Sequence, residues 1–351
     1  MKIALITDQH FGVRNDSLQF HEYFDRFYSQ VFFPTLEERG IKTVVELGDI
    51  FDRRKYINFD SLDRCRSYFF DRIKEQGIEL HCIVGNHDIY FKNTNRVNAL
   101  DLLLEQYDFH VYSEMTEVEI GGLDILMVPW INSENYKSSM DYLMHSKARV
   151  IMGHLELAGF EMHRGHMNET GLNPGVFKKY EMVMTGHYHH KSSKNNIHYL
   201  GSPYEMNWGD YMDSRGFHIF DTETLELEYI QNPLRMFHKV FYDDSVANEE
   251  QILREDYSNL AHTYVKVVVK EKSKPELFDL FIDKINTVGP AHLQVIEDSF
   301  KLNLDNSDDI IDEAEDTVTI IKKYIDNLNL ENTKGLENLF HELYHEAMSV
   351  E

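Results

Sequence analysis

The sequence predicts an α/β protein. Apolar runs of strand length recur through the first two-thirds of the chain, amphipathic stretches of helical period separate them, and glycines stand at the ends of several runs. The runs are Lys2–Thr7, Lys42–Leu47, Glu79–Val84, Asp124–Val128, Arg149–Met152 and Met182–Thr185, each read as a buried strand. Between the first two, Phe20, Phe24, Phe27, Val31 and Phe32 share one helical face, with Asp16 or Ser17 placed to cap it. Arg64–Gln76 and Arg96–Tyr107 read as further helices. Strands alternating with helices imply a largely parallel sheet with right-handed crossovers.

Gly201–Asp210 is a loop rich in Gly, Pro, Tyr and Trp, followed by strands Gly216–Asp221 and Leu225–Ile230. The pattern changes near Asn232-Pro233. Phe237–Tyr242, Tyr264–Val269, a helix over Pro275–Asn286 and a strand over His292–Ile296 read as a small separate α+β module. From about Asn306 the chain is acidic and then gives two amphipathic helices. Val318, Ile321, Ile325 and Leu328 stripe the first; Leu336, Leu339, Phe340, Leu343, Tyr344 and Ala347 stripe the second. Helices this short need a surface to bury such stripes against. The expected domains are residues 1–235, 236–305 and 306–351.

A hydrophobic fraction of 42% and an aromatic fraction of 13% are those of a globular chain with a substantial core. Cys65 and Cys82 each stand alone, so neither a disulfide framework nor a cysteine metal site is expected, and a cytoplasmic location follows. The apolar run Ile3–Ile6 is too short for a signal peptide or a membrane span, and no membrane association is expected. The formal net charge of −25 argues against a protein that grips nucleic acid by bulk charge. Such a chain can still act on DNA where bound cations invert the local field or a partner supplies basic surface.

Five motifs follow candidate strands: Asp8-Gln9-His10, Gly48-Asp49-Ile50-Phe51-Asp52, Gly85-Asn86-His87-Asp88, Gly153-His154 and Gly186-His187-Tyr188-His189. In open α/β sheets the carboxyl edge of the strands is where ligands bind, so five distant pieces of chain should converge on one face. Asp, Asn and His supply oxygen and nitrogen donors to Mn, Fe or Zn, and a two-oxygen Asp can bridge two cations. The preceding glycines are expected to permit the tight turns that aim these donors inward. Each piece alone also reads as an ordinary turn; their conjunction, in order and each behind a strand, points to a dinuclear metal site for phosphoryl transfer.

With these motifs the chain resembles the calcineurin-like metallophosphoesterases, and within them the SbcD-type nucleases of double-strand-break repair. The second likeness draws on Met1-Lys2-Ile3, Gly201-Ser202-Pro203 and Asn232-Pro233-Leu234-Arg235. The compact, Tyr/Asn/Asp-rich character is similar to the branch carried by T-even phages, which would place the protein in a bacterial cytoplasm. The resemblance implies a β-sandwich flanked by helices, a small α+β capping domain that helps place DNA, and a C-terminal helix pair. It implies that Asp8, His10 and His189 hold one metal, that Asn86, His154 and His187 hold the other, and that Asp49 bridges. The ions would be two Mn2+, with Mg2+, Fe2+ or Zn2+ as alternatives. His87 would serve the leaving oxygen; Asp52 and Asp88 would orient ligands and His87, or simply cap turns. It further implies a nuclease acting on duplex ends and single strands, a homodimer built from helices 64–76 and 96–107, and an SbcC-type coiled-coil ATPase bound through residues 306–351.

Other residues carry two readings each. His163, Arg164 and His166 form a Gly-containing loop that either contacts DNA or is merely solvated. Tyr188, Tyr204 and Trp208 either stack on splayed bases or pack in the core. Two other functions remain open: a phosphatase or small-nucleotide phosphodiesterase with the same metal chemistry, and a non-catalytic scaffold for the ATPase. The module after residue 236 and the complete donor set weigh against them.

Overall fold

The computed structural model describes residues 1–163, 166–247 and 249–297. They divide into two compact units, residues 1–205 with 212–235, and residues 206–211 with those from 236 onward. In chain order the strands of the first unit are β1 (Lys2–Ile6), β2 (Thr43–Glu46), β3 (Glu79–Ile83), β4 (His110–Tyr112), β5 (Thr116–Ile120), β6 (Leu123–Val128), β7 (Val150–His154), β8 (Glu161–His163), β9 (His166–Met167), β10 (Met182–Gly186), β11 (Ser192–Lys194), β12 (Ile197–Tyr199), β13 (Gly216–Asp221) and β14 (Leu227–Gln231).

Two six-stranded sheets result, ordered β14-β13-β1-β2-β3-β4 and β11-β12-β10-β7-β6-β5. Alternate residues of the runs explain the layering. Ile3, Leu5, Val45 and Ile83 of the first sheet meet Ile125, Met127, Val150 and Met184 of the second in one shared core. The opposite faces are apolar as well. Leu126, Ile151 and Val183 pack outward against Leu143 of the Tyr136–His145 helix and Phe177. Outside the first sheet, an aromatic layer joins Phe11, Phe24, Tyr28, Phe32, Phe69 and Tyr204.

The largely parallel pairing expected from the sequence is present, but it is divided between two sheets with antiparallel flanks. β1 to β4 are parallel, as are β6, β7, β10 and β12, but β13, β14, β5 and β11 pair antiparallel at the flanks. Only a short connection separates β5 from β6. Gly121 and Gly122, both at positive φ, turn the chain in two residues, a hairpin that no helical crossover allows. Hydrophobicity does not reveal β5, because its outward residues are exposed glutamates.

The first helix also departs from a simple periodic reading. Leu18–Phe27 passes through a π segment, Tyr28–Phe32, into Phe33–Arg39. The wider turn shifts the buried face so that Tyr28, Phe32 and Phe33 are inside and Val31 is only half-buried. Neither proposed cap works through its side chain. Ser17 occupies the cap position without capping, and the Asp16 carboxylate accepts from Arg53 and Ser61 instead. The helix expected at Arg64–Gln76 starts earlier, as Phe59–Cys65 capped by Asn58, and also runs through a π segment to Glu75. The one expected at Arg96–Tyr107 is confined to Ala99–Leu103 and a 3-10 turn, Glu105–Tyr107; Leu100 and Leu104 face the core.

The second unit is a parallel three-stranded sheet, β15 (Phe237–Asp243), β16 (Tyr264–Glu271) and β17 (His292–Glu297), with β16 central. The Pro275–Val288 helix buries Leu277, Phe278, Phe281 and Ile285 against it. The expected C-terminal helix pair, 306–351, lies outside the described residues. Among the described residues, no helix is long and apolar enough to cross a membrane.

Candidate metal centre

The carboxyl ends of β1, β2 and β3 from one sheet and of β7 and β10 from the other bring the five motifs together. Backbone bonds tie the loops: Asp8 N donates to Gly48 O and His10 N to Asp49 O, both at 3.0 Å. Asp8, His10, Asp49 and His187 all adopt positive φ, between 46° and 88°. Non-glycine residues rarely accept that conformation, and its clustering in four ligand-type residues marks a site held in place by its surroundings.

The donors form two adjoining groups. In the first, His10 Nε2 lies 3.0 Å from His189 Nε2, which is 3.8 Å from Asp8 Oδ1. In the second, Asn86 Oδ1 lies 3.0 Å from His154 Nε2 and 2.8 Å from His187 Nδ1. Asp49 Oδ2 faces both, 3.2 Å from His154 Nε2 and 3.8 Å from His10 Nε2. Donor atoms about 3 Å apart match ligands placed at roughly 2.0–2.2 Å around a shared cation. Buried carboxylates and imidazoles with converging lone pairs fit two divalent ions and are costly to gather without them.

Around these groups a further layer fixes orientation. Leu47 O takes His154 Nδ1 at 2.7 Å, turning Nε2 to the pocket. The Asp88 carboxylate, wholly buried, accepts from Asp49 N and Gly85 N at 2.9 Å and from Phe51 N at 3.2 Å. It thereby clamps the Asp49 loop to the Asn86 loop, so that capping and orienting are one and the same contact. Asp52 Oδ1 is 3.5 Å from His10 Nδ1, and its backbone carbonyl is 2.6 Å from His87 Nδ1. His87 N donates to Asp49 Oδ1 at 2.7 Å.

The cation-free electrostatics agree with a cation-seeking pocket. Burial works against charge on His10, but Asp52, Asp49 and Asp8 outweigh it and raise its pKa to about 9. His154 likewise reaches about 9, through Asp49 and Asp8, against its burial. His187 is pushed down to about 3 by burial and by neighbouring His154. Burial and the Asp49 charge lift Asp88 to about 6. His10 and His154 favour their protonated forms, so a cation bound there must displace their protons, and its binding is expected to strengthen as pH rises toward 9.

The structure corrects part of the sequence reading. Tyr188 is 2% exposed, stacks on Tyr199 and bonds Asn168 and Leu157 through its hydroxyl. Tyr204 is 0% exposed, stacks on Phe24 and donates to Gln9 O. Trp208 is buried beside Phe237 with Lys266 over its ring. All three pack and offer no face to a base. Arg164 and the side chains of His163 and His166 lie outside the described residues.

Two residues at the site carry no motif. Trp130 lies 5.0 Å from the His187 ring; it follows β6 at the same sheet edge as the motifs, a signal by which the sequence could reveal it. Arg215, 4% exposed, donates to His189 O and to Ser202 Oγ, holding the loop of a ligand-type histidine; only register reveals this.

Asp88→Asn keeps the shape and reverses part of the bonding, because an amide nitrogen cannot accept from a backbone N–H. The variant is expected to lose about 2–4 kcal/mol of stability and roughly 10–100-fold in metal affinity. Thermal unfolding and metal titration check both; unchanged values refute the clamp.

Residues 1–182 match the model of the calcineurin-like phosphoesterase superfamily domain. The chain is 32% identical to exonuclease subunit 1 of Enterobacteria phage T4, across 99% of each chain. It is 21% identical to the SbcD subunit of nuclease SbcCD from Staphylococcus epidermidis, across 95% of this chain and 92% of that one. It is 23% identical to the same-named protein of Staphylococcus saprophyticus, across 76% and 78%. With half the chain answering to one family and a full-length relative at 32% identity, this protein belongs to the calcineurin-like phosphoesterase superfamily and is a metal-dependent phosphoesterase.

Proposed function

We propose that the protein is the nuclease subunit of a DNA-processing assembly, hydrolysing phosphodiester bonds with two Mn2+ ions. The observation that carries this is the pair of donor groups sharing Asp49, in a chain similar over its full length to an exonuclease subunit. Asp8, His10 and His189 would hold one ion and Asn86, His154 and His187 the other, with Asp49 between. When bound, such a pair supplies the positive charge that an in-line phosphoryl displacement needs. His87 stands beside both groups, its Nδ1 anchored on the Asp52 carbonyl, so Nε2 is the atom left to carry a proton to the leaving oxygen.

A rim of this chain's own residues supports a polyanionic substrate despite the overall charge of −25. Arg54 lies within electrostatic reach of Asp49, and Lys92 feels Arg54 and Lys55. Tyr90 and Phe91 are exposed beside Lys92 and pack edge to face. Cations and open aromatic faces suit a nucleic-acid strand. The similarity to the SbcD proteins supports an ATPase partner, which residues 306–351 would engage. Exposed Leu102, within the 96–107 region assigned to a dimer, and exposed Phe59, at the start of the helix that leads into 64–76, favour a second copy there.

The test is degradation of an end-labelled duplex and of bis-p-nitrophenyl phosphate with Mn2+. Wild type should cut both. Arg54→Ala with Lys92→Ala should weaken DNA cleavage at least tenfold and flatten its salt dependence, sparing the small ester. A chain that cuts only the small ester, or a rim variant equally impaired on both, overturns the reading.

A further inference from the structure

A second set of ligand-type side chains lies at the other end of the first sheet. Glu79 opens β3, His110 opens β4, and the parallel register sets His110 opposite His81. Alternate strand residues share a face, so Glu79, His81 and His110 become neighbours. Glu79 Oε1 is 3.4 Å from His81 Nε2 and 3.2 Å from His110 Nε2, and the imidazole rings stack at 4.6 Å. One donor atom from each of the three residues lies within 4.8 Å of the others. The donors already described follow the carboxyl ends of β1, β2 and β3 in the same sheet, so the two sets occupy opposite edges. His81 and Asn86 alone are separated by roughly 16 Å of extended chain.

His81 supplies the independent sign of a ligand. It is 5% exposed, and its Nδ1 sits 2.7 Å from the Tyr112 hydroxyl, whose ring lies parallel to it. Its Nε2 is buried and makes no well-formed hydrogen bond, with the Glu79 oxygen 3.4 Å away as its charged neighbour. An unsatisfied buried ring nitrogen is costly, and a cation would satisfy it. Burial, helped by His110 and opposed by Glu79, holds the ring's pKa down to about 4. The imidazole is therefore neutral at physiological pH, the form that binds metal.

We propose that Glu79, His81 and His110 form a zinc site separate from the paired-metal pocket. Two imidazoles and one carboxylate are a zinc-type donor set, and exposure of Glu79 and His110 leaves a fourth position to water. The Tyr112 hydroxyl acts as the outer partner that holds a metal-binding histidine by its other nitrogen. β4 is the edge strand of its sheet, so a cation here staples that edge to β3. The ligand is Zn2+ itself, held by three side chains with one position open to water.

The test loads the full chain with Zn2+, passes it into metal-free buffer and measures bound zinc. Wild type should retain one more equivalent than either His110→Ala or Glu79→Gln, and Zn2+ should raise the melting temperature of wild type further than theirs. Both substitutions are at exposed positions outside the core, and Mn2+-dependent phosphodiester cleavage should persist in both. Anomalous scattering at the zinc edge from wild-type crystals should place a peak among the three side chains, without reliance on any variant. Equal zinc content in wild type and both variants, or zinc peaks confined to the opposite sheet edge, overturns the proposal.

Discussion

Asp49→Asn should abolish turnover and weaken both metal-binding steps in one substitution. Its Oδ2 faces His154 on one side and His10 on the other, while Oδ1 accepts from His87 N. An amide retains the volume and one accepting oxygen but loses the negative charge that offsets two dications. The carboxylate is held well below its ordinary range; burial opposes this, and His154 and His87 overcome it. That charge is therefore present at every working pH. The expected loss in kcat exceeds the roughly 10²–10³ seen when one transition-state-stabilising group is removed. Calorimetric titration with Mn2+ should show weakened binding at both steps. Two unperturbed binding events would remove Asp49 from the shared position.

His87→Ala should separate chemistry from metal holding. The ring touches the site from its edge, 4.8 Å from the His10 ring and at right angles to it. One of its ring nitrogens also comes within 4.8 Å of a donor atom of His10 and of Asp49, so geometry alone admits a ligand role. The anchoring of Nδ1 on the Asp52 carbonyl favours a proton carrier aimed at substrate. The variant should retain both ions by metal analysis and lose about 10²–10⁴ in kcat, the usual worth of general acid catalysis. The loss should shrink for esters with a good leaving group, which need no proton. A metal ion missing from the variant, or an equal loss with every leaving group, assigns His87 to the metals instead.

The four glycines that precede donors show where reading a linear chain stops. Tight turns are expected at all four, yet only Gly48 has positive φ, at 101°. Gly85 is needed because a Cβ would collide with the backbone and carboxylate of Asp49, and Gly186 because one would collide with Thr7 beside Asp8. A Cβ on Gly153 would stand 2.9 Å from Val128 O, across the β6–β7 ladder. These are close approaches between segments far apart in sequence, and nothing local to the glycine announces them.

The features legible along the linear chain are local and periodic. Runs such as Lys2–Ile6 and Met182–Gly186 are buried on both faces, so hydrophobicity alone marks them as interior strands, and donors placed just past such runs must reach the carboxyl edge. The donor types there were legible for the same reason. Tertiary structure decided whatever depends on register or on packing partners. Tyr188 and Tyr204 look like reading heads beside a site until Tyr199 and Phe24 are found stacked on them. Asp88 looks like a turn residue until three N–H groups from two loops point at it. Glu79, His81 and His110 carry no motif; the parallel pairing of β3 with β4 makes them a cluster. Side-chain period is written along one strand, but which strand lies beside it is settled by hydrogen-bond register and core packing among segments that the sequence keeps far apart.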